Sequence, residues 1–304
     1  MSLNPPYIMH ESPTNDHEYY HYSAIVDRPD FSWPDGKRLA FYVAINLESF
    51  SYGDDTGPTL NDGNHAPDVM NYSWREYGNR VGVWRMLELL DELDIPAAAL
   101  VNSDMYREAP RVIEAFRRRG DEIVAHGRTN AEKPGQLDEP DEKRLIEEVT
   151  QAFRAHEQQA PKGWLAPHIS HSKVTPDLLQ EAGYEYLLDW AMDDQPVWMH
   201  TRQGKVLSVP YSQEINDIPQ IVARNQTGQQ FGTMITDAFD TLLQDAKQRP
   251  VVMSVALHPY LTGQPHRFAP LKRALQAIRQ RAGEEVWFTT PGEINRHFRS
   301  LEEQ

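Results

Sequence analysis

The sequence predicts an α/β protein, a parallel sheet wound with helices into a single barrel domain. Three observations carry this reading. Apolar runs at 39–46 and 251–257 are nearly continuous, as strands covered on both faces are. Segments of helical period alternate with such runs along the whole chain, which implies parallel strands joined by helical crossovers. No Gly/Ser linker or break in composition divides the 304 residues, so a length that would suit two average domains reads as one.

The elements follow in order. Residues 1–36 are polar, aromatic and Pro-rich, with Tyr19, Tyr20 and Tyr22 close together, and read as an arm lying over a body that spans 37–304. The strand at 39–46 is followed by Gly- and Pro-containing residues 51–76, expected to be a long functional loop. Apolar positions between Val83 and Leu93 mark an amphipathic helix over 79–94, with Asn79 as its N-cap. Strands are expected at 97–101, 122–125, 162–165, 184–189, 206–209, 251–257 and 286–289. Helices are expected at 110–119, 141–159, 176–182, 232–248, 268–281 and 291–299.

Composition narrows the function. Hydrophobic residues at 39% and charged residues at 25% suit a folded soluble protein. Thirty basic against 45 acidic side chains, a net charge of −15, exclude a generally basic nucleic-acid binder and disfavour anionic membranes. With no cysteine there is no thiolate nucleophile and no Cys-ligated metal. The N-terminal stretch shows no signal peptide, and no apolar run approaches the ~18–20 residues of a membrane span. A cytoplasmic enzyme acting on a small molecule is the expectation.

In parallel α/β barrels, chemistry collects just past the strand ends. The first strand ends in Glu48, the strand at 122–125 in His126 and Asn130, and the strand at 251–257 in His258. Trp164 lies in the short strand at 162–165 and His168 follows it, Asp193 follows the strand at 184–189, and Tyr211 and Asn216 follow that at 206–209. One carboxylate and several histidines at one mouth outline an acid/base site. Taken singly, each has a plainer role: a structural hydrogen bond for a histidine, a turn for Asp193, core packing for Trp164 and Tyr211.

The order of these motifs resembles the polysaccharide deacetylase (NodB-homology) superfamily, nearest its cofactor-independent allantoinase branch, over about 33–298. The blocks are Asn46-Leu47-Glu48, Glu76-Tyr77-Gly78-Asn79-Arg80-Val81-Gly82-Val83-Trp84-Arg85, Ala125-His126-Gly127, Gly163-Trp164, Val209-Pro210-Tyr211 with Asn216-Asp217, and Leu257-His258-Pro259. The resemblance implies a distorted (β/α)7 barrel. Metal-dependent members carry an Asp-Asp pair and a His-x-x-x-His pair; at those positions stand Glu48-Ser49 and His126 with Asn130. Neutral Ser and Asn oxygens suit Zn²⁺ poorly, so no metal or other cofactor is expected. The usual arginine of the third motif is also absent, the segment reading Gly163-Trp164-Leu165-Ala166-Pro167-His168.

The expected activity is hydrolysis of a non-peptide carbon–nitrogen bond in a small amide, ureide or cyclic amide. Glu48 is the base, its pKa raised by burial, His258 the acid, and His126 the group that polarises the carbonyl. Asn130, Trp164, His168, Asp193, Tyr211 and Asn216 are expected substrate contacts. The rivals are a metal-dependent carbohydrate N-deacetylase using His126, His168 and His258, and a non-catalytic binding protein on the same fold. The aromatic arm, and the oligomeric state of the resembled allantoinases, point to a homo-oligomer.

Overall fold

A computed structural model describes residues 17–53, 56–61 and 66–302; positions 1–16 of the expected arm lie outside them. In chain order the elements are β1 (Leu39–Leu47), α1 (Val69–Tyr77), α2 (Val83–Leu93), β2 (Ala97–Val101), α3 (Met105–Glu108), α4 (Pro110–Arg119), β3 (Glu122–Ala125), α5 (Glu139–Glu157), β4 (Gly163–Trp164), α6 (Thr175–Glu181), β5 (Tyr186–Leu187), β6 (Val197–Thr201), β7 (Gly204–Ser208), α7 (Gly228–Asp245), β8 (Val251–Leu257), α8 (Pro265–Arg281), β9 (Val286–Phe288) and α9 (Pro291–Glu302).

The strands form one sheet in the order β6-β7-β5-β4-β3-β2-β1-β8, with β9 beside the first half of β1. From β7 to β8 every neighbouring pair is parallel, which gives the seven parallel strands of a (β/α)7 arrangement. The barrel is open. Where the chain after β7 returns to the other edge, Asn216 makes an isolated bridge to Ala256 of β8 rather than a continued ladder.

Alternation along β1 positions the site. Leu39, Phe41, Val43, Ile45 and Leu47 pack with the helices, while Ala40, Tyr42 and Ala44 fill the barrel interior. The same two-residue period directs Asn46 and Glu48 inward at the mouth. On β2 it carries Ala98 and Leu100 to Asn102, on β3 Val124 to His126, and on β8 Val252 and Ala256 to His258. β1, β2 and β8 are buried throughout, so slipping the register by one residue would drive polar groups into the helix layer.

Residues 69–93 form one helical stretch, not a loop and a shorter helix. Asp68 caps it, its side chain accepting from Asn71 N at 3.1 Å. Asn79 is no cap: it lies in a widened π-type turn over Gly78–Gly82, and its side chain donates to the Glu48 carbonyl at 2.9 Å. A Cβ on Gly82 would run into the Pro259 carbonyl, so this glycine lets the helix lie directly on the segment after His258.

Candidate active site

Glu48, His126 and His258 converge at the C-terminal mouth of the sheet. All three are almost wholly buried. Glu48 Oε1 lies 3.4 Å from His258 Nε2 and 3.5 Å from His126 Nε2, and accepts from Asn130 Nδ2 at 2.5 Å. Its other oxygen accepts from the Tyr260 hydroxyl at 3.1 Å. Behind His258 stands Asp217. One Asp217 oxygen lies 2.6 Å from His258 Nδ1; the other accepts from the His258 backbone N–H at 2.9 Å and from Thr262 Oγ1 at 2.7 Å. Asn102 braces the near side, accepting from Ser49 N at 2.9 Å and donating to Asn130 Oδ1 at 3.1 Å and to the His126 carbonyl.

His126 is held through Nδ1, 2.8 Å from the Leu165 carbonyl. A carbonyl only accepts, so Nδ1 carries a proton. In the neutral ring Nε2 is then an acceptor, and it is buried without a hydrogen-bond partner. Gly127, at φ 64° beside the Pro167 ring, lets the chain turn sharply after His126.

The protonation states are set by mutual charge. Burial pushes the Glu48 carboxyl up, as expected from the sequence. The charge of His258, with its imidazolium facing Glu48 Oε1, outweighs it and holds the group well below the ordinary carboxylate range. That corrects the expected rise toward neutrality. Burial alone would lower the His258 imidazolium, but Glu48 and Asp217 push it up to about 10. At neutral pH the pair is therefore carboxylate and imidazolium. Burial and the Glu48 charge keep the Tyr260 hydroxyl protonated.

Residues 71–187 match the polysaccharide deacetylase family model. A Schizosaccharomyces pombe protein assigned as a polysaccharide deacetylase is 26% identical over 291 residues, covering 86% of this chain and 90% of its own. The crystal structure of a Pseudomonas aeruginosa PAO1 protein with the same assignment superimposes with a TM-score of 0.78 at 28% identity, over 90% of this chain and 95% of the other. PuuE allantoinase superimposes with a TM-score of 0.78 at 26% identity, over 94% of this chain and 100% of the other. Residues 71–187 are thus similar to a polysaccharide deacetylase domain, and the fold to those of both solved proteins.

The metal of typical polysaccharide deacetylases does not fit the residues present. Ser49 and Asn130 replace two of its ligands, and Asn130 turns its amide N–H₂ toward Glu48, with its oxygen toward Asn102. Glu48 is already surrounded by donors, which leaves His126 Nε2 as the one unengaged ligand atom of the centre. No group of three or more His, Asp or Glu among the described residues is arranged to hold a metal ion.

The other expected contacts fall into three groups. Tyr211 and Asn216 lie beside the centre. The Tyr211 hydroxyl and Asn46 Nδ2 are 3.1 Å apart, and Asn216 Oδ1 accepts from Ile218 N at 3.0 Å, one residue either side of Asp217. His168 acts at one remove, its Nε2 donating to the Asn130 carbonyl at 2.9 Å. Trp164 and Asp193 lie elsewhere, which corrects the expectation for both. Trp164 falls on the helix side of the alternation, fully buried and edge-on to Tyr184. Asp193 pairs with Arg28 at 2.5 Å, and the neighbouring Asp194 carbonyl accepts from Val252 N, at the far end of β8 from His258. Asp217, Tyr260, Asn102 and Thr262 carry much of the geometry and were given no role from the sequence, although Asp217 stands in the Asn216-Asp217 block and Tyr260 and Thr262 follow Leu257-His258-Pro259.

Proposed function

We propose that the chain hydrolyses a carbon–nitrogen bond in a small amide, ureide or cyclic amide, with Glu48 and His258 as base and acid and without a metal. The observation that carries this is the Glu48–His258–Asp217 line, a buried carboxylate facing an imidazolium whose far nitrogen is held by a second carboxylate. The pair rests in the protonation states the reaction needs. Likeness to an allantoinase over 94% of the chain favours a small ureide over a polymer.

Water bound between Glu48 and the lone pair of His126 Nε2 attacks the carbonyl carbon. Glu48 takes its proton. The carbon–nitrogen bond then breaks as His258 Nε2 gives its proton to the leaving nitrogen, yielding an acid and an amine. This assigns His126 a different part from the carbonyl polariser first expected, because the Leu165 carbonyl fixes the tautomer that accepts. Asp217 keeps the His258 ring oriented and charged. The rival using His126, His168 and His258 as metal ligands gains no support from His168, whose Nε2 is engaged by the Asn130 carbonyl.

The test is a hydrolysis screen of hydantoins, linear ureides, small cyclic amides and N-acetylated sugars, with metal content measured on the same preparation. Turnover of a ureide or cyclic amide that survives chelation supports the reading. Turnover confined to N-acetylated sugars and abolished by chelators overturns it.

A further inference from the structure

Four buried polar atoms near the mouth have no role in the chemistry above and no hydrogen-bond partner: Asp189 Oδ2, both ring nitrogens of His171, and His17 Nδ1. A buried polar group left without a partner is costly, so such a cluster points to a partner outside the chain. Asp189 comes two residues after β5, at the same end of the sheet as Glu48, His126 and His258. Its side chain is 1% exposed. Its Oδ1 is spent: it accepts from Ala166 N at 2.7 Å and lies 3.2 Å from His171 Nε2, in poor alignment for a hydrogen bond. Oδ2 is left as a bare acceptor.

The turn from Ala166 to His171 ties this pair to the catalytic centre. Ala166 binds Asp189, His168 binds the Asn130 carbonyl, and the Asn130 side chain binds Glu48. Burial pushes the Tyr211 hydroxyl, beside Asn46, up, and the charges of Asp217, Glu48 and then Asp189 add to it. On the outer side, His171 and His17 meet the Trp190 ring edge-on at 6.4 and 5.9 Å between centroids. These three rings border a cavity of about 620 Å³.

We propose that Asp189 and His171 form a recognition subsite for a planar amide or ureide edge, the N–H binding Asp189 Oδ2 and the carbonyl oxygen accepting from a His171 ring N–H, with Trp190 flanking the plane. This rests on the functional reading above and specifies how its substrate is held. A carboxylate acceptor beside an imidazole donor matches the adjacent donor and acceptor of an –NH–CO– group. A site built to meet an N–H rejects the analogue lacking it, because the buried acceptor is then left unpaired.

The probe is hydantoin, with 1,3-dimethylhydantoin as the analogue that keeps both carbonyls and loses both N–H groups. Calorimetric titration of the intact protein should show at least a tenfold preference for hydantoin. Asp189→Asn presents a donor where the acceptor was and should erase the preference. His171→Phe keeps a ring beside Trp190 and should weaken hydantoin binding about tenfold with an unchanged thermal midpoint. No binding of hydantoin, equal binding of the two probes by the natural chain, or a preference retained in both variants would overturn the subsite. Preferential binding without hydrolysis of any ureide or cyclic amide would overturn the functional reading alone. Hydrolysis with the same KM in both variants would overturn the subsite alone.

Discussion

Glu48, His258 and Asp217 each fix the state of the next. The Glu48 charge holds His258 protonated, and the His258 charge holds Glu48 ionised. Acid–base activity therefore spans neutral pH. It is lost on the alkaline side as His258 gives up its proton near 10, and on the acid side only below the ordinary carboxylate range. Replacing Asp217 by Asn removes one of the two charges that raise His258, so the alkaline limb of kcat should move to lower pH while Glu48 still keeps it above the ordinary imidazole value. A limb that stays in place would make Asp217 purely structural. Glu48→Gln keeps the shape and removes the base; kcat on the substrate found by the screen should fall by about 10²–10⁴ with the fold intact by circular dichroism. At this scale the sequence was legible where side chains follow a strand: Glu48, His126 and His258 each stand one residue past one. Asp217 follows no strand and is brought in by the chain crossing from β7 to β8, a tertiary event with no local pattern. Asp193 was misplaced for the converse reason. It sits in the strand–turn region where function collects, but the chain has already descended to pair Asp194 with Val252.

The helical stretch over 69–93 and the segment 258–264 behave as one element. Asn79 reaches from the π-type turn to the Glu48 carbonyl, and Gly78 and Gly82 admit Tyr260 and Pro259 without a side chain between the backbones. The motif block at 76–85 is thus a docking face for the loop that carries His258 and Tyr260. Gly82→Ala sets a Cβ against the Pro259 carbonyl, where backbone must give. It should cost roughly 1–3 kcal/mol and lower both the thermal midpoint and kcat. The exposed neighbour change Val81→Ala should leave both near their starting values. If Gly82→Ala matches Val81→Ala, the two segments are not coupled. Most elements were legible because their apolar period is unbroken; β2, β3, α4 and β8 lie where the pattern put them. Two were not. Residues 69–77 bury polar Asn71 and Arg75 while leaving Val69 and Met70 exposed, and they follow a Gly- and Pro-rich stretch, so no apolar face marked the helix that Asp68 caps. β6 is an antiparallel edge strand with partly exposed residues, and it offers neither a buried run nor clean alternation.

For the whole molecule, alternation of strands and helices identified a parallel α/β barrel, but it could not show that the barrel stays open. Closure depends on whether two distant edges pair in a ladder, and here Asn216 and Ala256 form an isolated bridge instead. Among the described residues no helix is long and apolar enough to cross a membrane. The arm raises the question of assembly. It is held firmly on the body: Arg28 pairs with Asp193, the Tyr19 hydroxyl donates to Asp177 at 2.9 Å, and the Tyr19 carbonyl accepts from His200 N at 2.6 Å. Yet Tyr22 is 91% exposed and Val26 68% exposed on that same anchored segment. Apolar groups presented on a fixed support suit a contact with a second copy, where aromatic side chains are enriched. A net charge of −15 on each copy opposes association, and salt screens that repulsion over about 8–10 Å. We therefore expect a homo-oligomer whose association strengthens between low and physiological salt. Sedimentation at micromolar concentration should resolve it, and Tyr22→Ser combined with Val26→Ser should shift it toward monomer without changing kcat, since neither residue touches the catalytic centre. A natural chain that sediments as a monomer at every salt concentration would end this expectation and leave the arm as a brace on its own barrel.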